Sequence, residues 1–174
     1  MKYLFLIRAV NVGGTAKLPM AELRALATEL GGADVQTHIA SGNLIATPPG
    51  DPATFARALD AAVESRFGFS REVIVRDAAT LRAARDAHPF AVVDPAFSYL
   101  VPLSDTPTDA ARVAAAEVQR GADEWALIGD DLHVRYVNGA GRADLDLTRL
   151  LRVLGVAGTA RNLRTVDALL RLLG

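Results

Sequence analysis

The 174-residue chain contains no cysteine. That absence removes disulfides, thiolate metal sites, iron–sulfur ligation and cysteine nucleophiles together, and it makes a cytoplasmic location the expectation. Neither sign of charge is in excess, because 19 Lys and Arg are set against 20 Asp and Glu for a formal net charge of −1. No bulk field therefore draws the chain toward nucleic acid or an anionic membrane. Lysine is scarce: Lys2 and Lys17 stand alone among the arginines. Long apolar runs are missing too. The opening Tyr3-Leu4-Phe5-Leu6-Ile7 meets Arg8 after about five residues, too few for a signal core or a membrane span.

What is present is enough length for a core without staples, and a pattern of elements that occurs twice. Residues 3–9 read as a nearly continuous apolar strand, followed by the glycine-containing loop Val10-Asn11-Val12-Gly13-Gly14-Thr15-Ala16-Lys17. Pro19 then opens a helix whose Met20, Leu23, Leu26, Ala27 and Leu30 form one apolar face, and Gly31-Gly32 ends it. Val35 to Ala40 and Leu44 to Thr47 flank Ser41-Gly42-Asn43 as a hairpin. Asp51-Pro52 caps a second helix through Phe55, Leu59, Val63 and Phe67, which Gly68 stops; Val73-Ile74-Val75 is a fourth strand, and a short helix runs from Ala78 to about Ala87.

The order repeats in the second half. It has a strand at Tyr99-Leu100-Val101, a helix from about Thr108 to Gln119, a hairpin of Trp125–Ile128 with Leu132–Val137, a helix over 143–154, and a last helix from Leu163 to Leu173. The expected fold class is α+β, two tandem ferredoxin-like β-α-β-β-α units sharing one compact body. The expected division is 1–90 for the first unit and 91–174 for the second with its terminal helix.

Chemistry is sparse. Arg8, Asn11, Gly13, Gly14 and Lys17 combine exposed backbone amides, two cations and a nearby helix start, which is the physical recipe for holding a phosphate or carboxylate. The spacing matches neither the P-loop nor the dinucleotide fingerprint. Ser41 and Asn43 in the hairpin turn, Arg142 after Gly141, and Arg161-Asn162 before the last helix complete the candidate ligand set, and each also has a local account as a turn or helix-cap residue. A catalytic pairing of His38 with Ser41 is disfavoured, because odd separation on a strand points the two side chains to opposite faces. His88, His133, Asp130 and Asp131 lack the close spacing of metal ligands, so no metal or cofactor is implied. The stacking pair Tyr3 and Phe5 lacks the signature of an RNA-recognition sheet. The functional expectation is a small anionic ligand (phosphate, nucleotide or carboxylate) at the first loop; the alternative is a non-catalytic protein-interaction or regulatory module, with the oligomeric state open.

In Leu6-Ile7-Arg8-Ala9-Val10-Asn11-Val12-Gly13-Gly14, Lys17, Met20-Ala21-Glu22-Leu23, Ser41-Gly42-Asn43, His88-Pro89-Phe90, Gly141-Arg142 and Thr159-Ala160-Arg161-Asn162 with Thr165-Val166, the chain resembles, essentially end to end, a large bacterial family of domains of unknown function, number 1697. The resemblance implies a ferredoxin-related α+β fold and no settled activity. It also exposes departures: Ala9 stands where the family typically has glycine, His88 where it has asparagine, Ala143-Asp144 where Ser-Lys is frequent, and Leu163 where an aromatic is usual. Loss of that lysine removes one cation from the candidate patch.

Overall fold

The computed structural model describes residues 1–174. It divides into two compact units, Met1–Leu81 with Leu169–Gly174, and Arg82–Ala168. The chain is mixed α+β, with two four-stranded antiparallel sheets and six α-helices.

The first unit runs β1 (Tyr3–Ile7), α1 (Met20–Glu29), β2 (Ala33–His38), β3 (Asn43–Thr47), α2 (Pro52–Phe67) and β4 (Val73–Arg76), with the sheet order β2-β3-β1-β4. Strand β1 is central, and Phe5 faces Leu44 on one side and Val75 on the other. Phe5, Ile7, Leu44 and Ala46 point to the helices, where Leu23, Leu26, Phe55 and Leu59 close the core. The rings of Phe5 and Phe55 stand 5.1 Å apart at 57°, a tilted pair. Leu4, Leu6, Ile45 and Ile74, on the alternate positions, are buried as well. Burial on both faces is why β1 reads as an unbroken apolar run and shows no alternation.

Helix α2 begins and ends as its sequence dictates. The Asp51 side chain accepts the Thr54 amide at 2.7 Å, Pro52 occupies the first turn, and Gly68 closes the helix at φ 77°. The Thr54 hydroxyl and amide hold the Asp51 carboxyl below the usual carboxylate range. Strand β1 is shorter than expected. It stops at Ile7 because Ala9 turns to φ 51°, a left-handed conformation that no strand continues through.

The second unit repeats the plan with β5 (Ser98–Pro102), α4 (Asp109–Ala115), β6 (Glu124–Ile128), β7 (Asp131–Arg135), α5 (Leu147–Leu154) and β8 (Arg161–Asn162), ordered β6-β7-β5-β8. Helices α3 (Ala78–Asp86) and α6 (Leu163–Leu173) each contribute residues to both units. Val101, Leu132 and Val134 pack with Ala115, Leu150 and Leu154 to form the core of this unit.

Two helices differ from expectation for local reasons. Helix α4 ends at Ala115 rather than Gln119, because the amides of Ala116, Glu117 and Val118 bond three residues back and tighten the turn. Helix α5 starts at Leu147 rather than 143, because the buried carboxylate of Asp123 takes the Asp144 and Leu145 amides at 2.7 and 3.0 Å. The same carboxylate accepts the Val137 amide at 3.0 Å, so one side chain ties three backbone positions. Asp123→Ala leaves those amides without their acceptor, the one at Leu145 in the interior. The expected loss is about 3 kcal/mol of unfolding free energy, on the scale of buried groups left unsatisfied. Urea denaturation checks it, and a loss below about 0.5 kcal/mol, the ordinary surface scale, contradicts the cradle.

Candidate functional site

After β1 the chain makes a compact loop built from left-handed residues. Ala9, Asn11 and Ala16 take φ of 51°, 55° and 48°, and Gly13 and Gly14 take 60° and 74°. Positive φ at both central positions makes Val12-Gly13-Gly14-Thr15 a type I′ turn, closed by the Thr15 amide on the Val12 carbonyl at 3.2 Å. The glycine pair is thus required by the turn itself. Its two amides have no hydrogen-bond acceptor within the chain, and both residues are exposed.

The side chain of Asn11 holds this loop. Its Oδ1 accepts the Leu18 amide at 2.8 Å, while Nδ2 donates to the Leu18 carbonyl at 2.9 Å and to the Ala40 carbonyl at 2.7 Å. Leu18 is fully buried and anchors the far end of the loop. Ala40 lies in the turn between β2 and β3, where Asn43 donates to the His38 carbonyl at 2.9 Å and to Ser41 Oγ at 3.0 Å. Gly42 in that turn, at φ 80°, sits so close to β1 that a Cβ would stand 2.8 Å from the Ile7 carbonyl oxygen.

Arg8 leads away from the glycines. With Ala9 it lines an open groove of about 450 Å³ whose other wall is Ser70, Arg71 and Glu72. The cause is register: Ile7 pairs with Val73, so the next residues outward meet, and the Arg8 amide donates to the Glu72 carbonyl at 3.0 Å. Asp60 shapes the opposite wall by accepting the Ser70 hydroxyl at 2.7 Å and the Arg71 amide at 2.6 Å. The Arg71 guanidinium donates to the Ser70 carbonyl at 2.7 Å and lies 5.3 Å from the centre of the Phe69 ring. Arg8 approaches Glu72 at 3.9 Å with both side chains about half exposed, a loose pair worth little in water.

The first unit therefore brings Arg8 together with Arg71, a residue that sequence reasoning missed, and turns Asn11 inward to position the loop. Lys17 is exposed and does not line the groove. Arg142, Arg161 and Asn162 belong to the second unit. Arg142 is exposed at the end of a single 3₁₀ turn, Ala140–Arg142. Arg161 is buried, donates to Thr159 Oγ1 at 2.7 Å and to the Ala160 carbonyl at 2.9 Å, and its pKa is pushed down to about 10 by burial. Asn162 caps α6 by accepting the Thr165 amide at 2.9 Å.

Another grouping had no local signal. His88 and His133, 45 residues apart, place their Nδ1 atoms 3.2 Å from one another. No group of three or more His, Asp or Glu side chains is arranged to hold a metal ion. No helix is long and apolar enough to cross a membrane.

The model of a protein family described as "Protein of unknown function (DUF1697)" matches residues 1–133. The chain belongs to the DUF1697 family. That match contains the whole of the loop and the groove beside it. Among solved structures, this DUF1697 chain is similar to the conserved bacterial protein SP0830 from Streptococcus pneumoniae, at TM-score 0.71 and 21% identity, with 99% of this chain and 98% of that one covered. At that identity the likeness speaks for the fold alone. No curated protein matches the chain.

The backbone gives Ala9 a physical reading. Its left-handed φ is one that glycine adopts without strain, and a Cβ there costs roughly 1–2 kcal/mol. Part of that strain is offset by the lower entropy of unfolded alanine relative to glycine. Ala9→Gly is therefore expected to raise stability by about 0.5–1 kcal/mol, measured as a shift in the chemical-denaturation midpoint. A lower midpoint overturns the strain account.

Proposed function

We propose that this DUF1697 chain binds a small anion carrying a phosphate or carboxylate in the groove beside the first loop. The observation that supports the reading is the meeting of Arg8 and Arg71 across an open groove, with only the loose Glu72 contact neutralising Arg8. Guanidinium groups give planar, multidentate recognition of oxyanions, and an exposed ion pair is readily displaced by a better-placed acceptor. The unused amides of Gly13 and Gly14 and the cation of Lys17 lie on the same loop, and Asn11, Ser41 and Asn43 hold that end of the sheet in shape. Arg142, Arg161 and Asn162 belong to the second unit and are not part of this groove.

The supporting unit is read as ferredoxin-like, and so is its counterpart. Each runs β-α-β-β-α-β with its own second, third, first and fourth strands side by side. A division at residues 1–90 and 91–174 remains the proposed domain plan.

Thermal unfolding in inorganic phosphate, nucleoside phosphates and citrate tests the function. A ligand present at a hundredfold its Kd stabilises the native state by about 2.7 kcal/mol. Arg8→Ala and Arg71→Ala are each expected to weaken binding about tenfold or more, while Glu72→Gln tightens it by removing the competing carboxylate. Absence of stabilisation by every anion, or a hit that all three variants leave unchanged, removes the reading.

A second reading, a non-catalytic interaction module, is favoured by one strand. β6 bonds only to β7, in unbroken register from Glu124 to Ile128, whereas the β2 edge is blunted by a register shift between Ala33 and Gln36. A regular edge without bulge or proline accepts a further strand, here from a second copy. Sedimentation velocity distinguishes the outcomes: a dimer that Ile128→Lys dissolves supports the module, and a monomer at high micromolar concentration sinks it.

A further inference from the structure

His88 follows α3 on the segment that leads to β5, and His133 sits at the middle of β7 with no exposed surface. Their rings meet at 5.3 Å between centroids, joined by the 3.2 Å Nδ1···Nδ1 contact, and Phe90 packs edge-on to His88 at 5.6 Å. Both Nε2 atoms are buried without a partner. We propose that this pair is an acid-operated latch, holding residues 88–93 on the second sheet at neutral pH and releasing them as the pair is protonated.

Proton arithmetic supports the mechanism. One Nδ1–H donated to one bare Nδ1 is made at neutral pH by two neutral imidazoles, one protonated at Nδ1 and the other at Nε2. A first added proton goes to the bare Nε2 of the donor ring, creating a cation with a buried N–H and no acceptor. A second faces two N–H donors across the contact and breaks it.

Surrounding charges reinforce this resistance. Arg85 of α3 bears on His88; it donates to Asp167 of α6 at 2.8 Å and has Asp86 beside it. On β7, Asp131 and Arg135 flank His133 at two-residue steps, and Arg135 bonds Glu124 of β6 at 3.0 Å. Leu100 of β5 pairs with both His133 and Arg161 of β8, putting that buried cation on the same face. Ser98, the polar neighbour from β5, is uncharged. The Nδ1 atoms face each other and neither Nε2 has a hydrogen-bond partner, so an added ring proton meets no direct acceptor.

Burial and the neighbouring charge lower both pKa values, that of His133 to about 4, with His88 lowered by burial and by Arg85. The sign follows from linkage. Above the ordinary histidine value near 6.5 both states are neutral and pH has no effect. Between there and about 4 the released rings take up protons that the latched rings refuse, so latching weakens as pH falls, by up to about tenfold per pH unit for each ring. The rest of the segment stays attached. Pro95 accepts the Leu163 amide at 3.1 Å and Phe97 accepts the Tyr136 amide at 2.9 Å, so release is confined to the stretch before Asp94.

The test is NMR on the full-length protein from pH 7.5 to 4. Ring 15N shifts of both histidines are expected to titrate below the ordinary histidine value near 6.5, with His133 at about 4. Backbone order parameters of residues 88–93 are expected to fall toward the flexible range, below about 0.6, over the same interval. His88→Phe, which keeps the aromatic contact and removes one of the two proton sites, is expected to weaken the pH dependence in this segment to the share of His133 alone. Titration of both rings at the ordinary histidine value near 6.5, order parameters unchanged to pH 4, or an identical response in His88→Phe overturns the latch.

Discussion

A single side-chain amide, that of Asn11, makes the rest of the first loop possible. Its oxygen and nitrogen meet the amide and carbonyl of Leu18 as a neighbouring strand would, and its remaining hydrogen reaches Ala40 in the adjacent turn. An Asn side chain is the size of a peptide unit and can stand in for one where the backbone itself has turned away. Because Asn11 ties Leu18 to the neighbouring turn at Ala40, the left-handed positions at Ala9, Asn11 and Ala16 persist without regular secondary structure. The exposed amides at the tip are the residue of that arrangement, and Arg8 lines the groove beside it.

The parts of this architecture visible in the sequence were those governed by short-range physics. Asp51-Pro52 and Gly68 bounded α2, and the alternation of strand and helix patterns matches the observed element order in the first half and, β8 apart, in the second. Strand β8 was invisible because it is two residues long and polar; Arg161-Asn162 carries no periodicity, and Asn162 reads equally as a helix cap, which it is. Arg71 was missed for another reason. Its place beside Arg8 depends on the pairing of Ile7 with Val73, a contact across more than sixty positions that no local pattern encodes. The His88–His133 contact is hidden in the same way, although period-two alternation on β7 does group Asp131, His133 and Arg135 on one face.

The two units share strand order but not chemistry. In the first, the face turned from the helices carries aliphatic side chains, Leu4, Leu6, Ile45 and Ile74. In the second, the corresponding face carries Ser98, His133 and Arg161 around Leu100, an unusual concentration of buried polar groups. Burying such groups is costly unless they are bonded, and their presence here marks the second sheet as the more conditional of the two.

The three-pronged hold of Asp123 bears on where this protein can be shortened. The family match stops at residue 133, inside β7, yet the amides that hydrogen-bond the buried Asp123 carboxylate come from Val137, Asp144 and Leu145. A nascent chain cannot complete that interior until Leu145 has left the ribosome. Trimming the gene to the matched segment would leave a carboxylate facing a half-built core with nothing to receive it.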